Sequence, residues 1–469
     1  MTDKNMEMAR AVAEAVRREG GHTYYVGGCV RDRLLGRDNK DIDIEVHGIP
    51  VETLERILDS LGERLEMGAS FGIMGLRHYE LDIAMPRSET ATGRGHKDFA
   101  VFVDPFLGAE KAARRRDFTM NALMQDVLSG EILDFFGGRE DLRRGLIRHV
   151  DAESFVEDPL RVLRAAQFAA RFGFTVAQET VELSAGMDLT ALPGERILGE
   201  LEKALLKSEH PSVFFEQLRA MRQLGDWFPE PQALIGLEQN PRFHPEGDVW
   251  VHTMQVLDEA ALLRGRAKEP LWFMLSALCH DLGKAVTTEE IDGVLHAYRH
   301  ETEGLALVQS FLGRLSREVR LTQYVLNMTQ LHMKPNLLAD SGGRVQSYMK
   351  MFDSSVCPGD LLLLARADYL GRVGPGQDRE SLCAAYADTE NRLRQMLELY
   401  TERMGRPYLM GRDLLDAGME PGPLFAEALA AAHKLRLAGR PREEQLKQAL
   451  AIFRKEKRSG GKGAGPAEK

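Results

Sequence analysis

The chain has 469 residues, 43% of them apolar and 28% charged, with a formal net charge of −10. At about 100–200 residues per domain this makes roughly two to four domains with ample material for a core. An acidic balance excludes a wholly basic nucleic-acid binder, though not local basic tracks on an acidic body. No apolar run approaches the ~20 residues of a membrane helix, and no signal-type apolar block opens the chain. The four cysteines, Cys29, Cys279, Cys357 and Cys383, are scattered without metal-type pairing. They are expected as reduced thiols, which points to a cytoplasmic setting.

Residues 5–18 repeat apolar positions at helical spacing. Residues 24–26 read as a short strand, Gly27-Gly28 breaks it, and 30–35 read as a second helix. Residues 41–46 alternate polar and apolar, the period of a half-buried strand. A helix is expected over 52–61, with further strands over 79–85 and 99–103. Between these strands, residues 86–97 carry Gly93 and Gly95 and predict a mobile loop. From about Glu157 the strand signals fade and long amphipathic helical patterns take over. Gly173 and Pro193-Gly194 punctuate them, and the proline-rich stretch 229–245 is the best domain boundary. Residues 459–469 are expected to be disordered. There is no internal repeat. Basic clusters lie at 111–116, 139–148 and 434–458.

Asp41 and Asp43 stand two apart on the predicted strand, so their carboxylates share one face. Carboxylates held that close repel unless a cation lies between them. A hard cation such as Mg²⁺ suits oxygen ligands and keeps waters for substrate phosphates. Gly27 and Gly28 close the preceding strand, where bare backbone N–H groups can cradle phosphates, and Arg31 follows on the next helix.

Taken together, the Gly-Gly, Arg-Asp, Leu-Leu-Gly and Asp-x-Asp elements between Gly27 and Asp43 resemble the class II tRNA nucleotidyltransferase and bacterial poly(A) polymerase family. A second block, Arg115-Arg116-Asp117-Phe118-Thr119-Met120-Asn121-Ala122, resembles that family's ribose-contacting motif. Asp134 to Leu142 resembles its hinge motif, and Glu157-Asp158-Pro159-Leu160-Arg161 its base-reading motif. The resemblance covers about residues 20–200. It implies that Asp41 and Asp43 hold catalytic Mg²⁺, with Asp82 as a third carboxylate and Glu80 as its competitor. It also implies nucleotide contacts by Gly27, Gly28, Arg31, Arg115, Arg116, Asp117, Asn121, Asp158, Arg161 and Arg164.

The base-reading pair has a chemical logic. ATP and CTP each present an exocyclic amino donor beside a ring-nitrogen acceptor. The Asp158 carboxylate can accept from the first and the Arg161 guanidinium can donate to the second. UTP and GTP reverse that pattern. Standing three apart on a predicted helix, Asp158 and Arg161 are expected on one face.

A second constellation follows. His280-Asp281 lies between His252 and Asp368, with His300 and His332 further along. Imidazole and carboxylate together suit a transition metal such as Mn²⁺, Ni²⁺, Fe²⁺ or Co²⁺. The stretch 245–370 resembles the HD phosphohydrolase superfamily, whose pattern is His, His-Asp and a later Asp, with two further histidines in some members. That resemblance implies an all-helical, metal-dependent phosphatase or phosphodiesterase. His252, His280, Asp281 and Asp368 match the basic set. His300 and His332 stand at the extra positions, with His296 as the alternative to His300.

The expected fold class is α+β. A nucleotidyltransferase α/β head (1–148) is followed by a helical neck (149–228), an HD body (240–400) and a helical tail (401–458). Arg164, Arg171, Arg412 and Lys434 are expected tRNA contacts. The expected partners are tRNA, CTP and ATP, with no membrane; oligomeric state is not legible. The alternatives are an enzyme adding only A or only CC, a poly(A) polymerase, or an HD phosphohydrolase using the head to bind RNA.

Overall fold

The computed structural model describes residues 3–37, 41–66, 73–91 and 99–460. The chain divides into two compact units, one of residues 1–232 with 314–316, the other of residues 233–313 with 317–469.

The first unit opens with helix Asp3–Arg18, whose apolar stripe at Ala9, Val12 and Val16 is buried against the sheet. The strands are β1 (His22–Val26), β2 (Ile42–His47), β3 (Arg64–Glu66), β4 (Ile73–Leu76), β5 (Leu81–Ala84), β6 (Arg87–Ala91), β7 (Phe99–Val103), β8 (Met124–Asp126) and β9 (Ile132–Leu133). Seven of them form one mixed sheet in the order β3-β4-β5-β2-β1-β8-β9. Its central pair, β2 and β5, is parallel, with Asp43 directly opposite Asp82. Along β2 the residues Ile42, Ile44 and Val46 are buried in the core, so Asp43 and Glu45 project from the other face.

Part of the expected loop at 86–97 is instead strand: β6 pairs antiparallel with β7. Residues 92–97 of that segment lie outside the described residues. The neck that follows is helical, led by Leu160–Phe172 and Gly194–Lys207.

The second unit is a helical body apart from one hairpin, Thr288–Ile291 with Val294–Ala297, a departure from the all-helical expectation. At the hairpin turn Asp292 and Gly293 both have positive φ, 52° and 76°, the requirement of the tight turn that matches strand twist. Helices Gly411–Asp416, Pro423–Leu437 and Arg442–Gly460 share a small core of Leu409, Leu414, Met419, Ala428, Ala432 and Ala449. The last helix includes residues 459–460, which were expected to be disordered; 461–469 lie outside the described residues. No described helix is long and apolar enough to cross a membrane.

Candidate active site and metal centre

One cleft of the first unit, about 530 Å³, gathers most of the head's predicted residues. Asp43 and Asp82 line it, with Arg115, Arg116, Asp117, Asp158, Arg161 and Arg164. Burial, then Asp82 and Asp41, push the Asp43 carboxyl up to about 6 against the opposing pull of Arg116. Burial and Asp41 likewise raise Asp82. Asp41 thus belongs to the same charge cluster, although it sits exposed just ahead of β2 and is not part of the cleft wall. The parallel register selects Asp82 over Glu80, which is exposed and whose backbone N–H donates to Asn5.

Gly27 has φ +68°, and a Cβ there would stand 3.2 Å from the Arg116 guanidinium and 3.9 Å from the Asp43 carboxylate. The bare backbone is what lets Arg116 lie over the turn beside the carboxylates. Arg116 is held in turn by Glu45 at 3.3 Å, which also bonds His47 at 2.8 Å. Glu45 did not emerge from the sequence as a site residue, although its period-2 spacing from Asp43 was available.

Behind the cleft runs a buried relay. Arg164 donates to the Asp117 carboxylate at 2.7 Å, Asn121 donates to the same group at 2.9 Å, and Arg31 donates to Asn121 at 2.7 Å. Burial alone would raise Asp117, but Arg164, Asn121 and Arg161 outweigh it and hold it ionised below its usual range. Arg31 and Asn121 are therefore corrected: neither lines the cleft. Helix Gly28–Leu34 turns Arg31 inward, where it pairs with Asp32 at 2.7 Å and packs over Phe168 and Phe172.

The expectation that Asp158 and Arg161 share a helix face is also corrected. Asp158 precedes helix Leu160–Phe172 and accepts from the Leu160 N–H at 3.1 Å. Both nonetheless line the cleft. Arg161 donates to the backbone carbonyls of Ser154 and Arg115 at 2.7 and 2.8 Å, and Asp158 pairs with Arg196 at 3.4 Å. Arg196 is a cleft residue that sequence reasoning missed. Arg171 lies over the Phe172 ring at 5.0 Å, while Arg412 and Lys434 are exposed in the tail.

The second unit brings all six predicted HD residues together. His280 Nδ1 faces the Ala277 carbonyl at 2.8 Å, His300 Nδ1 that of Ala297 at 2.8 Å, and His332 Nδ1 that of Thr329 at 2.7 Å. A carbonyl only accepts, so each Nδ1 carries the proton and each Nε2 presents its lone pair. Those Nε2 atoms converge on Asp281. One oxygen lies 3.2 Å from His280 and 3.6 Å from His252; the other lies 3.1 Å from His300 and 3.7 Å from His332. Asp368 stands 3.2 Å from His252.

Close backbone approach makes this convergence possible. A Cβ at Gly283 would lie 2.0 Å from the His300 carbonyl oxygen, so only glycine admits the His300 turn beside His280-Asp281. His300, not His296, is at the centre; His296 stacks on Tyr298 in the wall of the adjoining cavity of about 410 Å³. Burial favours a raised Asp281, but His280, Lys284 and His300 hold it well below the ordinary carboxylate range. Burial and neighbouring His280 push His332 down to about 3, so it stays neutral as a ligand must. Lys284, 2.7 Å from Asp281, and Arg372, 3.0 Å from Asp368, complete the charge balance.

Two family models match the regions that carry these residues. Residues 23–148 match the poly A polymerase head domain and residues 249–391 match the HD domain. A multifunctional CCA protein of Actinobacillus pleuropneumoniae is 36% identical over 75% of this chain and 86% of its own. One of Nitrosococcus oceani is 37% identical over 91% of this chain and 96% of its own. The chain belongs to the multifunctional CCA protein family. It is accordingly a nucleotidyltransferase with an HD domain. Solved structures share its fold: a Thermotoga maritima CCA-adding enzyme complexed with tRNA (TM-score 0.62, 21% identity, covering 97% of this chain and 96% of that one). A Bacillus stearothermophilus CCA-adding enzyme in complex with CTP matches similarly (TM-score 0.61, 21% identity, 98% and 100% covered).

Proposed function

We propose that this enzyme builds CCA on the 3′ end of tRNA from CTP and ATP without a nucleic-acid template, and that its HD body is a metal-dependent phosphohydrolase. The observation that carries the first part is the register of Asp43 against Asp82 in one cleft with Arg116, Asp158 and Arg161. An all-oxygen donor set in which burial, Asp82 and Asp41 together raise the Asp43 carboxyl fits Mg²⁺. Bound there, Mg²⁺ supplies activation of the attacking hydroxyl and neutralisation of the triphosphate.

The chain's own residues account for positioning. Arg116, clamped by Glu45, and Arg164, clamped by Asp117, present fixed cations to the triphosphate. The preset geometry aligns the α-phosphate with the tRNA 3′ hydroxyl, whose attack releases pyrophosphate. Asp158 and Arg161, in the lining of the same cleft, offer the acceptor–donor pattern that suits the C and A edges. The exposed Arg412 and Lys434, with Arg171, supply sequence-independent phosphate contacts to the tRNA body. Reduced thiols and a tRNA substrate fit action in the cytoplasm.

Base choice is open to a direct check. Asp158→Ala should relax discrimination of CTP and ATP against UTP and GTP by roughly 5- to 150-fold, the equivalent of about 1–3 kcal/mol for one unpaired polar edge. Competing labelled nucleotides in single-turnover incorporation give the ratio. Unchanged discrimination with unchanged rate would remove Asp158 from base reading.

In the HD body, imidazole nitrogens and carboxylates at one buried centre fit Mn²⁺, Ni²⁺, Fe²⁺ or Co²⁺ better than Mg²⁺. Asp281, with its two oxygens facing different histidine pairs, would hold the metal together with those histidines and Asp368. Such a centre supplies Lewis acidity toward a phosphoester. Lys284 and Arg372 remain as cations at the cavity wall to bind its oxygens.

A further inference from the structure

Of the four ligand histidines, His252 is held differently. The other three direct Nδ1 at a backbone carbonyl three residues earlier. His252 Nδ1 instead faces the Glu246 carboxylate at 2.8 Å, with the Gly371 carbonyl at 3.2 Å. The same Glu246 oxygen lies 2.9 Å from Nδ1 of His244, and the ring of His244 packs edge-on against His252 at 4.9 Å. Both the Glu246 and His252 side chains are fully buried, and the second Glu246 oxygen has no hydrogen-bond partner.

His244, Glu246 and His252 place ligand-type atoms within 4.8 Å of one another, yet a third ion there conflicts with the centre itself. Nε2 of His252 already points at Asp281 and Asp368. An ion on Nδ1 as well would need the neutral imidazole to lose its one N–H proton and become an imidazolate. A hydrogen bond from Nδ1 to the carboxylate meets no such conflict. The loop carrying Glu246 is also fixed in place: a Cβ at Gly374 would stand 2.6 Å from Pro245.

We propose that Glu246 is a positioning residue of the metal centre, holding His252 with Nε2 toward Asp281 and Asp368 and joining that ligand to His244 on the cavity wall. The inference rests on the HD metal-centre reading. A carboxylate behind a ligand imidazole fixes its tautomer and raises its basicity, and losing such a partner costs roughly 10–100-fold in metal affinity.

The test is calorimetric titration of Co²⁺ into metal-stripped, full-length protein, with a thermal melt of each metal-free variant. Wild type should bind and Asp281→Ala should not; a wild type that binds no Co²⁺ overturns the metal-centre reading and this inference with it. Given wild-type binding, Glu246→Ala should bind roughly 10–100-fold more weakly. Glu246→Gln, whose amide oxygen still accepts from Nδ1, should fall between the two. Wild-type affinity in either variant overturns the proposal. So does a lowered melting temperature in Glu246→Ala with Co²⁺ affinity unchanged, which would make Glu246 structural only. If Glu246→Ala does not fold, the glutamine variant alone decides by whether its affinity is weakened.

Discussion

Asp43→Asn should reduce nucleotide incorporation by roughly 10³-fold or more and yet stabilise the metal-free fold. The rate loss follows from removing a carboxylate from the cation site, where charge stabilisation is worth several kcal/mol and each 1.4 kcal/mol is tenfold. The stability gain follows from the native environment of Asp43. Its pKa is raised from 3.8 to about 6, so the folded state binds this proton more tightly than the unfolded chain does. The group is least unfavourable to folding below pH 4, and its full cost is felt once pH rises past about 6. An uncharged asparagine should therefore gain on the order of 1–3 kcal/mol at pH 7.5, and the gain should shrink toward pH 4. Urea unfolding of metal-free protein at both pH values measures it. Saturating Mg²⁺ should narrow the gap, because the ion relieves the repulsion in wild type. Equal stability of variant and wild type at both pH values would mean that burial and the neighbouring carboxylates do not hold Asp43 above its ordinary range.

The second large effect belongs to Asp281. Since its two oxygens face His252 and His280 on one side and His300 and His332 on the other, Asp281→Ala should strip both halves of the centre. His332→Ala should weaken one half only. Metal content by atomic emission after dialysis reads the difference, and phosphoester hydrolysis should fall by roughly 10³-fold in Asp281→Ala. Incorporation of nucleotides into tRNA should persist in both variants, since the head cleft and the HD centre have no residue in common. Persistent incorporation doubles as the check that the variants fold. Loss of both activities with either Asp43 or Asp281 replaced would show that the two sites are not separate.

The parts legible in the sequence were those written in local pattern. The alternation of 41–46 gave β2 and the outward face of Asp43, though Asp41 stands just ahead of the strand, and the His-Asp pair with its flanking histidines marked the HD centre. What stayed hidden depended on tertiary direction. Nothing in residues 30–35 says that Arg31 points at Phe168 and Phe172 instead of at a ligand. The start of helix Leu160–Phe172 after Pro159, which takes Asp158 off the helix, was signalled by the proline but outweighed by the i, i+3 spacing. His244 fell in a proline-rich stretch read as a boundary and Glu246 just past its end, and their carboxylate–imidazole link appears only when the loop folds back on His252. The body's hairpin did have a signal, the Asp292-Gly293 dipeptide, lost among helical patterns.

The most direct test presents tRNA ending at three successive points, lacking CCA, CA or A, to the enzyme with each labelled nucleoside triphosphate in turn. C should be added to the first two substrates and A only to the third, with UTP and GTP excluded and extension stopping after A. Addition of A alone, an unlimited run of A on any RNA, or no incorporation at all would contradict a protein cleft that reads the C and A edges at a tRNA terminus.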